Sequence, residues 1–172
     1  GQVHHSKIDI TLDTARKFIK KIIEEYIELF DSPYWHLGAD EYIYTELDEF
    51  PQFLNYAQKH YGNDAIALDA YFDFINWANK IVRSYGKTLR IYNDCISIKN
   101  NYKLQNKVKI DTNIIVDYWE GKDMPNELIE EGFYICNSAI NFLYYILGSG
   151  WTGYNEFLYE KFLPNIYNEN RK

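Results

Sequence analysis

The run Asn113-Ile114-Ile115-Val116-Asp117-Tyr118-Trp119 constrains this chain more than any other stretch. Apolar side chains follow one another without the apolar–polar alternation of a half-solvated strand, so a strand here must be covered on both faces. Sheets of that kind are mostly parallel, and helices supply their cover.

The flanking sequence provides those helices. A helix is predicted over residues 14–30, where Phe18, Ile22, Tyr26 and Phe30 recur every four residues and Ile19, Ile23 and Ile27 widen the stripe. Asp13 is placed to cap its start, and Asp31-Ser32-Pro33 ends it. Residues 34–39 read as a short buried strand, and 42–63 as an irregular loop with a helical turn near 53–60. A second helix over 64–85 aligns Leu68, Tyr71, Ile75, Ala78 and Val82, with Gly86 where a left-handed cap belongs. Strands follow at 89–92, 113–119 and 133–137, separated by a polar loop at 99–112 and a short helix ending near Glu131. Residues 138–153 read as an aromatic, glycine-rich loop and 154–163 as a last helix.

Strand alternating with helix implies parallel βαβ units. Each strand ends in polar or aromatic residues: Asp40-Glu41, Asn93-Asp94, Trp119-Glu120 and Asn137-Ser138. Polar groups at the carboxyl ends of parallel strands are how a TIM (β/α)8 barrel builds an active site. A closed barrel needs eight strands, and four segments here qualify. The expected fold class is therefore α/β, part of such a barrel, with residues 1–172 forming one partial domain and no second domain.

Composition removes several functions. The net charge of −7 and pI near 5.1 leave no basic stripe for nucleic acid. No run approaches the roughly 18 apolar residues of a membrane span. Cys95 and Cys136 fit neither a metal site nor a disulfide framework and are expected as buried free thiols; no cofactor or metal motif is present. The 17 tyrosines and 4 tryptophans suit a sugar pocket, since both pair a flat apolar face with a polar tip.

The chemistry concentrates in Trp35-His36-Leu37-Gly38-Ala39-Asp40-Glu41-Tyr42. A second acidic pair, Asp48-Glu49, follows no strand and precedes Pro51, so it reads as solvated loop and serves as an internal control. Asp40-Glu41 stands at a strand end after a small-residue step, which favours a site. Two carboxylates point to glycoside cleavage, but a double-displacement enzyme needs them about 5–5.5 Å apart across the anomeric carbon. Neighbours leaving one strand splay and cannot easily do that. They can divide the work differently, with Glu41 reaching the glycosidic oxygen and Asp40 lying beneath a substituent of the sugar; if that substituent is a 2-acetamido group, its own oxygen can attack C1.

His36-Leu37-Gly38-Ala39-Asp40-Glu41 resembles the H-x-G-(G/A)-D-E signature of glycoside hydrolase family 20, the β-N-acetylhexosaminidases and lacto-N-biosidases. The preceding helix and the stretches RIYNDC, IIVDYWEG and LYYILGSGWTGYNE look like successive strand–loop units of that family's barrel, strands four to seven. The resemblance implies Glu41 as acid/base, Asp40 as orienter of the acetamido group and Trp119 as a pocket wall, with a core tryptophan as the alternative for Trp119. It implies a tyrosine contact to the acetamido carbonyl, for which Tyr154 and then Tyr144 are the candidates. Asn93 and Asp94 are read either as substrate contacts or as strand caps, His36 as support for Asp40 with a sugar contact as the alternative, and Trp151 as pocket cover or packing. The implied partner is a glycan bearing N-acetylhexosamine, and the implied place is secreted or at a bacterial cell surface.

The family's first-strand arginine and its eighth-strand tryptophan and acidic pair have no counterpart in this chain. A missing barrel half or self-association is therefore expected as a partner, and a glycan-binding half-barrel without turnover is the competing function.

Overall fold

The computed structural model describes residues 7–42, 49–94, 96, 106–119 and 125–143. Four parallel strands pair in chain order: β1 (Tyr34–His36), β2 (Thr88–Tyr92), β3 (Ile115–Tyr118) and β4 (Tyr134–Asn137). The register sets Trp35 beside Leu89, Ile91 beside Val116, and Val116 beside Ile135. These residues share one face of the sheet, and Leu89, Ile91, Val116 and Ile135 are almost wholly buried there. Alternation gives the other face His36, Arg90, Tyr92, Asp117 and Cys136, a polar layer with Tyr34 and Tyr134 about half exposed beside it.

Helix α1 (Asp13–Tyr26) and a 3-10 turn (Ile27–Leu29) precede β1. The predicted stripe divides into two. Ile23 and Ile27 are buried and Ile19 packs on the core, whereas Phe18, Ile22, Tyr26 and Phe30 are exposed. Stripes one residue apart on a helix point about 100° from each other, so only one of them meets the core. Asp13 is the first helical residue and not the cap, which is Leu12. The carboxylate that organises this start is Asp9, whose Oδ1 accepts from the Thr11 amide and hydroxyl at 3.0 and 2.6 Å. β1 is shorter and more exposed than expected, with Tyr34 44% exposed, because among the described residues it has a partner strand on one side only.

The segment read as loop contains helix α2 (Pro51–Tyr61). Its marks were present: proline in the first turn, glycine after the last, and Phe53 and Ala57 buried four residues apart. Helix α3 (Ala67–Ser84) begins where Asp69 Oδ2 accepts the Ile66 amide at 2.9 Å. It ends at Gly86, φ +71°, whose amide bonds Arg83 O while that of Lys87 bonds Val82 O. Asp69, Asn76 and Asn79 of α3 hydrogen-bond residues 108–113, fixing the approach to β3. Asp73 ties three helices together: Arg16 of α1 and Tyr56 and Tyr61 of α2 all donate to it. Helix α4 (Asn126–Glu130) joins β3 to β4, and α5 (Ile140–Leu143) follows β4.

Cys136 is a free thiol but half-buried, not buried as expected, and Cys95 lies outside the described residues. So do residues 144–172, with the predicted last helix, Tyr144, Trp151 and Tyr154. Among the described residues no helix is long and apolar enough to cross a membrane.

Candidate active site

Parallel pairing puts the four strand ends on one rim. β1 stays paired past His36, with the Leu37 amide donating to Arg90 O and Gly38 O accepting from the Tyr92 amide. The backbone then turns sharply: Gly38, Ala39 and Glu41 have φ of +81°, +68° and +48°. Left-handed backbone at Ala39 and Glu41 costs about 1–3 kcal/mol each and persists only when the surroundings impose it. Three side chains do so. His36 Nδ1 accepts the Gly38 amide at 2.9 Å, the Tyr71 hydroxyl donates to Ala39 O at 2.9 Å, and Asp94 Oδ1 accepts the Glu41 amide at 2.9 Å. Asp40 and Glu41 are exposed on this turn. Asp40 folds back so that a Cβ at residue 38 would stand 3.2 Å from its Oδ1, which is why glycine fits there.

Asp94 bridges two strand ends. Its second oxygen accepts the Trp119 indole N–H at 2.6 Å, so one carboxylate holds both the acid-pair backbone and the tryptophan. Burial raises its pKa; the Trp119 and Glu41 donors pull the other way, and the negative charge of Asp40 adds to the rise. Asn93, buried at the end of β2, accepts the Trp119 amide at 2.9 Å. Asn93 thus serves the rim as a backbone cap between β2 and β3. Trp119 is partly exposed and lies outside the buried core cluster, its ring edge-on to Tyr92 at 6.4 Å. Asn137 accepts the Ala139 amide at 3.2 Å and turns the chain into α5.

Below the rim stands a group that the sequence reading passed over. Asp117, 3% exposed, is bound by both Arg90 Nε (2.9 Å) and Arg90 Nη2, by Ser138 Oγ (3.2 Å) and by His36 Nε2 (3.2 Å). Burial pushes its carboxyl upward, but the hydrogen bonds from His36 and Arg90 and the charge of Arg90 outweigh this and hold it at about 2. The signal was a charge in the middle of each of two strands, Arg90 and Asp117, which only the register brings together. Of the control pair, Glu49 is exposed and Asp48 lies outside the described residues. Among the described residues no group of three or more His, Cys, Asp or Glu gathers to hold a metal.

Residues 1–168 match the family model "Glycosyl hydrolase family 20, catalytic domain". The chain belongs to glycoside hydrolase family 20. It is 39% identical over 141 residues to a lacto-N-biosidase of Bifidobacterium bifidum, a match covering 81% of this chain and 12% of that protein. It is 26% identical over 152 residues to the human beta-hexosaminidase subunit beta, covering 86% of this chain and 26% of the relative. Among solved family structures, the beta-N-acetylhexosaminidase from Bacteroides fragilis superposes with a TM-score of 0.65 at 17% identity, over 87% of this chain and 30% of that one. The chain thus spans about an eighth to a quarter of the curated relatives it matches. The four-stranded parallel sheet is the corresponding part of the family's (β/α)8 barrel.

Proposed function

We propose that this chain supplies strands four to seven of a retaining, exo-acting glycosidase that releases terminal β-linked N-acetylhexosamine, or lacto-N-biose, from glycans. The substrate's acetamido oxygen attacks C1 as the glycosidic C–O bond breaks, and Glu41 gives its proton to the departing oxygen. Water then attacks C1, Glu41 takes its proton, and the oxazolinium ring opens to the free sugar. Asp40 accepts the acetamido N–H and offsets the ring's positive charge. Trp119 walls the acetamido side, with Tyr154 or Tyr144 completing it. The observation that carries this reading is the strained turn bearing Asp40 and Glu41, anchored by Asp94, which also fixes the Trp119 indole. The likeness to a lacto-N-biosidase of Bifidobacterium bifidum supports a place for the whole enzyme at a bacterial surface or in the medium.

The test uses a complete barrel containing these residues and an aryl N-acetyl-β-glucosaminide. Asp40→Asn keeps size and hydrogen bonding but cannot balance a cation, so turnover falls by about 10²–10³-fold with the fold intact by circular dichroism. A thiazoline analogue of the sugar inhibits the parent and binds the variant poorly. Full activity in Asp40→Asn would rule out acetamido participation. Glycan affinity without turnover would select the competing reading of a glycan-binding module.

A further inference from the structure

We infer that His36 is a positioning residue whose tautomer is set by Asp117 and whose free Nδ1 holds the turn that aims Asp40 and Glu41. The inference rests on the reading of that pair as catalytic and adds a part played by neither carboxylate.

The ring nitrogens of a neutral histidine differ: one donates and the other accepts. Nε2 lies 3.2 Å from Asp117 Oδ2, an oxygen that can only accept while the carboxyl is ionised, so Nε2 carries the proton. Nδ1 is then bare, and it takes the Gly38 amide at 2.9 Å. Asp117 cannot shift to suit another tautomer, because Arg90 of β2 grips both its oxygens and Ser138, just past β4, donates to Oδ1. The Tyr92 ring, 4.5 Å away by centroids, limits the tilt of the imidazole. A chain of contacts across β1, β2 and β3 therefore ends on the first left-handed residue of the turn, Gly38.

The device has a sign. A proton on Nδ1 would turn the acceptor into a donor facing the Gly38 amide, and that anchor would be lost. Among the described residues the charged and titratable groups around the ring include Asp117 of β3 and Tyr92 of β2, with Arg90 of β2 and Cys136 of β4 behind Asp117. Burial keeps the Cys136 thiol raised and hence neutral, and the Arg90 guanidinium already answers the Asp117 charge. The arrangement therefore uses an imidazole whose Nε2 donates to Asp117 and whose Nδ1 is left to accept the Gly38 amide.

Two substitutions separate this role from plain packing, assayed in a complete barrel containing these residues. In His36→Asn the amide oxygen stands near the former Nδ1 and can still accept the Gly38 amide, whereas in His36→Gln the amide reaches toward Asp117 and leaves Gly38 unserved. Asn should keep kcat within about tenfold, while Gln should lose about a hundredfold with KM nearly unchanged, the scale expected from a misplaced catalytic group. Equal losses in the two variants, or a rise in KM with kcat preserved, would overturn the inference. A second readout needs no activity: ¹⁵N spectra of the unsubstituted protein should show His36 as the Nε2–H tautomer with Nδ1 accepting a hydrogen bond, and an Nδ1–H tautomer would overturn the inference even if neither variant folds. Asp40→Asn run alongside keeps the two readings apart. Its failure to lower turnover would remove the acetamido mechanism, while the Asn/Gln contrast reports on His36 alone.

Discussion

Replacing Asp117 with asparagine should change how the protein responds to acid in a calculable way. The carboxyl sits at about 2 in the fold against an ordinary value of 3.8. At about 1.36 kcal/mol per unit of pKa, the ionised form contributes about 2 kcal/mol to folding. A lowered acid gives stability that is complete above the unfolded value and disappears as pH falls through the folded one. The contribution is therefore full above about pH 5 and nearly gone by about pH 2. Asp117→Asn removes it at every pH. Urea unfolding followed by tryptophan fluorescence, repeated down the pH series, gives the free-energy difference between parent and variant. That difference should shrink by about 2 kcal/mol between neutrality and pH 2. Asp73 is also lowered and destabilises both proteins in acid, but it cancels in the comparison. A difference that stays flat across the series would refute the assignment of the acid sensitivity to the Arg90–Asp117–His36 group.

Four further outcomes are expected. Gly38→Ala places a Cβ 3.2 Å from Asp40 Oδ1 on a left-handed backbone, so it should cost about 1–2 kcal/mol in thermal or urea melts and lower kcat in a complete barrel; Ala39→Gly, relieving φ +68°, should instead stabilise by about 0.5–1 kcal/mol. Asp73→Ala strands Arg16, Tyr56 and Tyr61 together and should cost about 2 kcal/mol in urea unfolding, with Arg16→Ala adding little on top of it. Residues 1–172 alone should show no aryl-glycoside turnover and should self-associate in light scattering, since Phe18, Ile22, Leu29 and Phe30 are exposed and, among the described residues, β1 is paired on one side only; turnover linear in monomer and abolished by Glu41→Gln would contradict this.

What could be read from the sequence was whatever depends on local pattern. Ile114 to Val116 signalled a doubly covered strand, and β3 with its apolar neighbours follows from that alone. Gly86 marked the end of α3, and Gly38 with the two acids marked a turn at a strand end. What escaped depends on partners distant in sequence. Which of two apolar stripes on α1 faces inward is decided by α3 and the sheet, not by spacing within α1. Helix α2 was hidden because Pro51 reads as a breaker unless it is recognised as a first-turn residue. Arg90 and Asp117 looked like ordinary polar positions until the register set Tyr92 beside Asp117 and brought the Arg90 fork to the same face. Tyr71 was placed on the buried side of its helix, and nothing local told that its hydroxyl reaches Ala39 O. The individual strand ends could thus be foreseen from the sequence, but the network joining them could not.

The double grip of Asp94 also marks a seam along which this scaffold can be cut and rejoined. The carboxylate comes just after β2, and both of its clients, the Glu41 amide and the Trp119 indole, belong to other strand ends. Sequence transplanted from a relative beyond Ile96 leaves that clasp in place, so the reach of the β2 loop can be altered without retuning the acids. A transplant that begins at Asp94 carries away the clasp itself and loosens two other strand ends that were never touched. For anyone recombining family members, the safe junction is set by this one aspartate and not by the end of the strand.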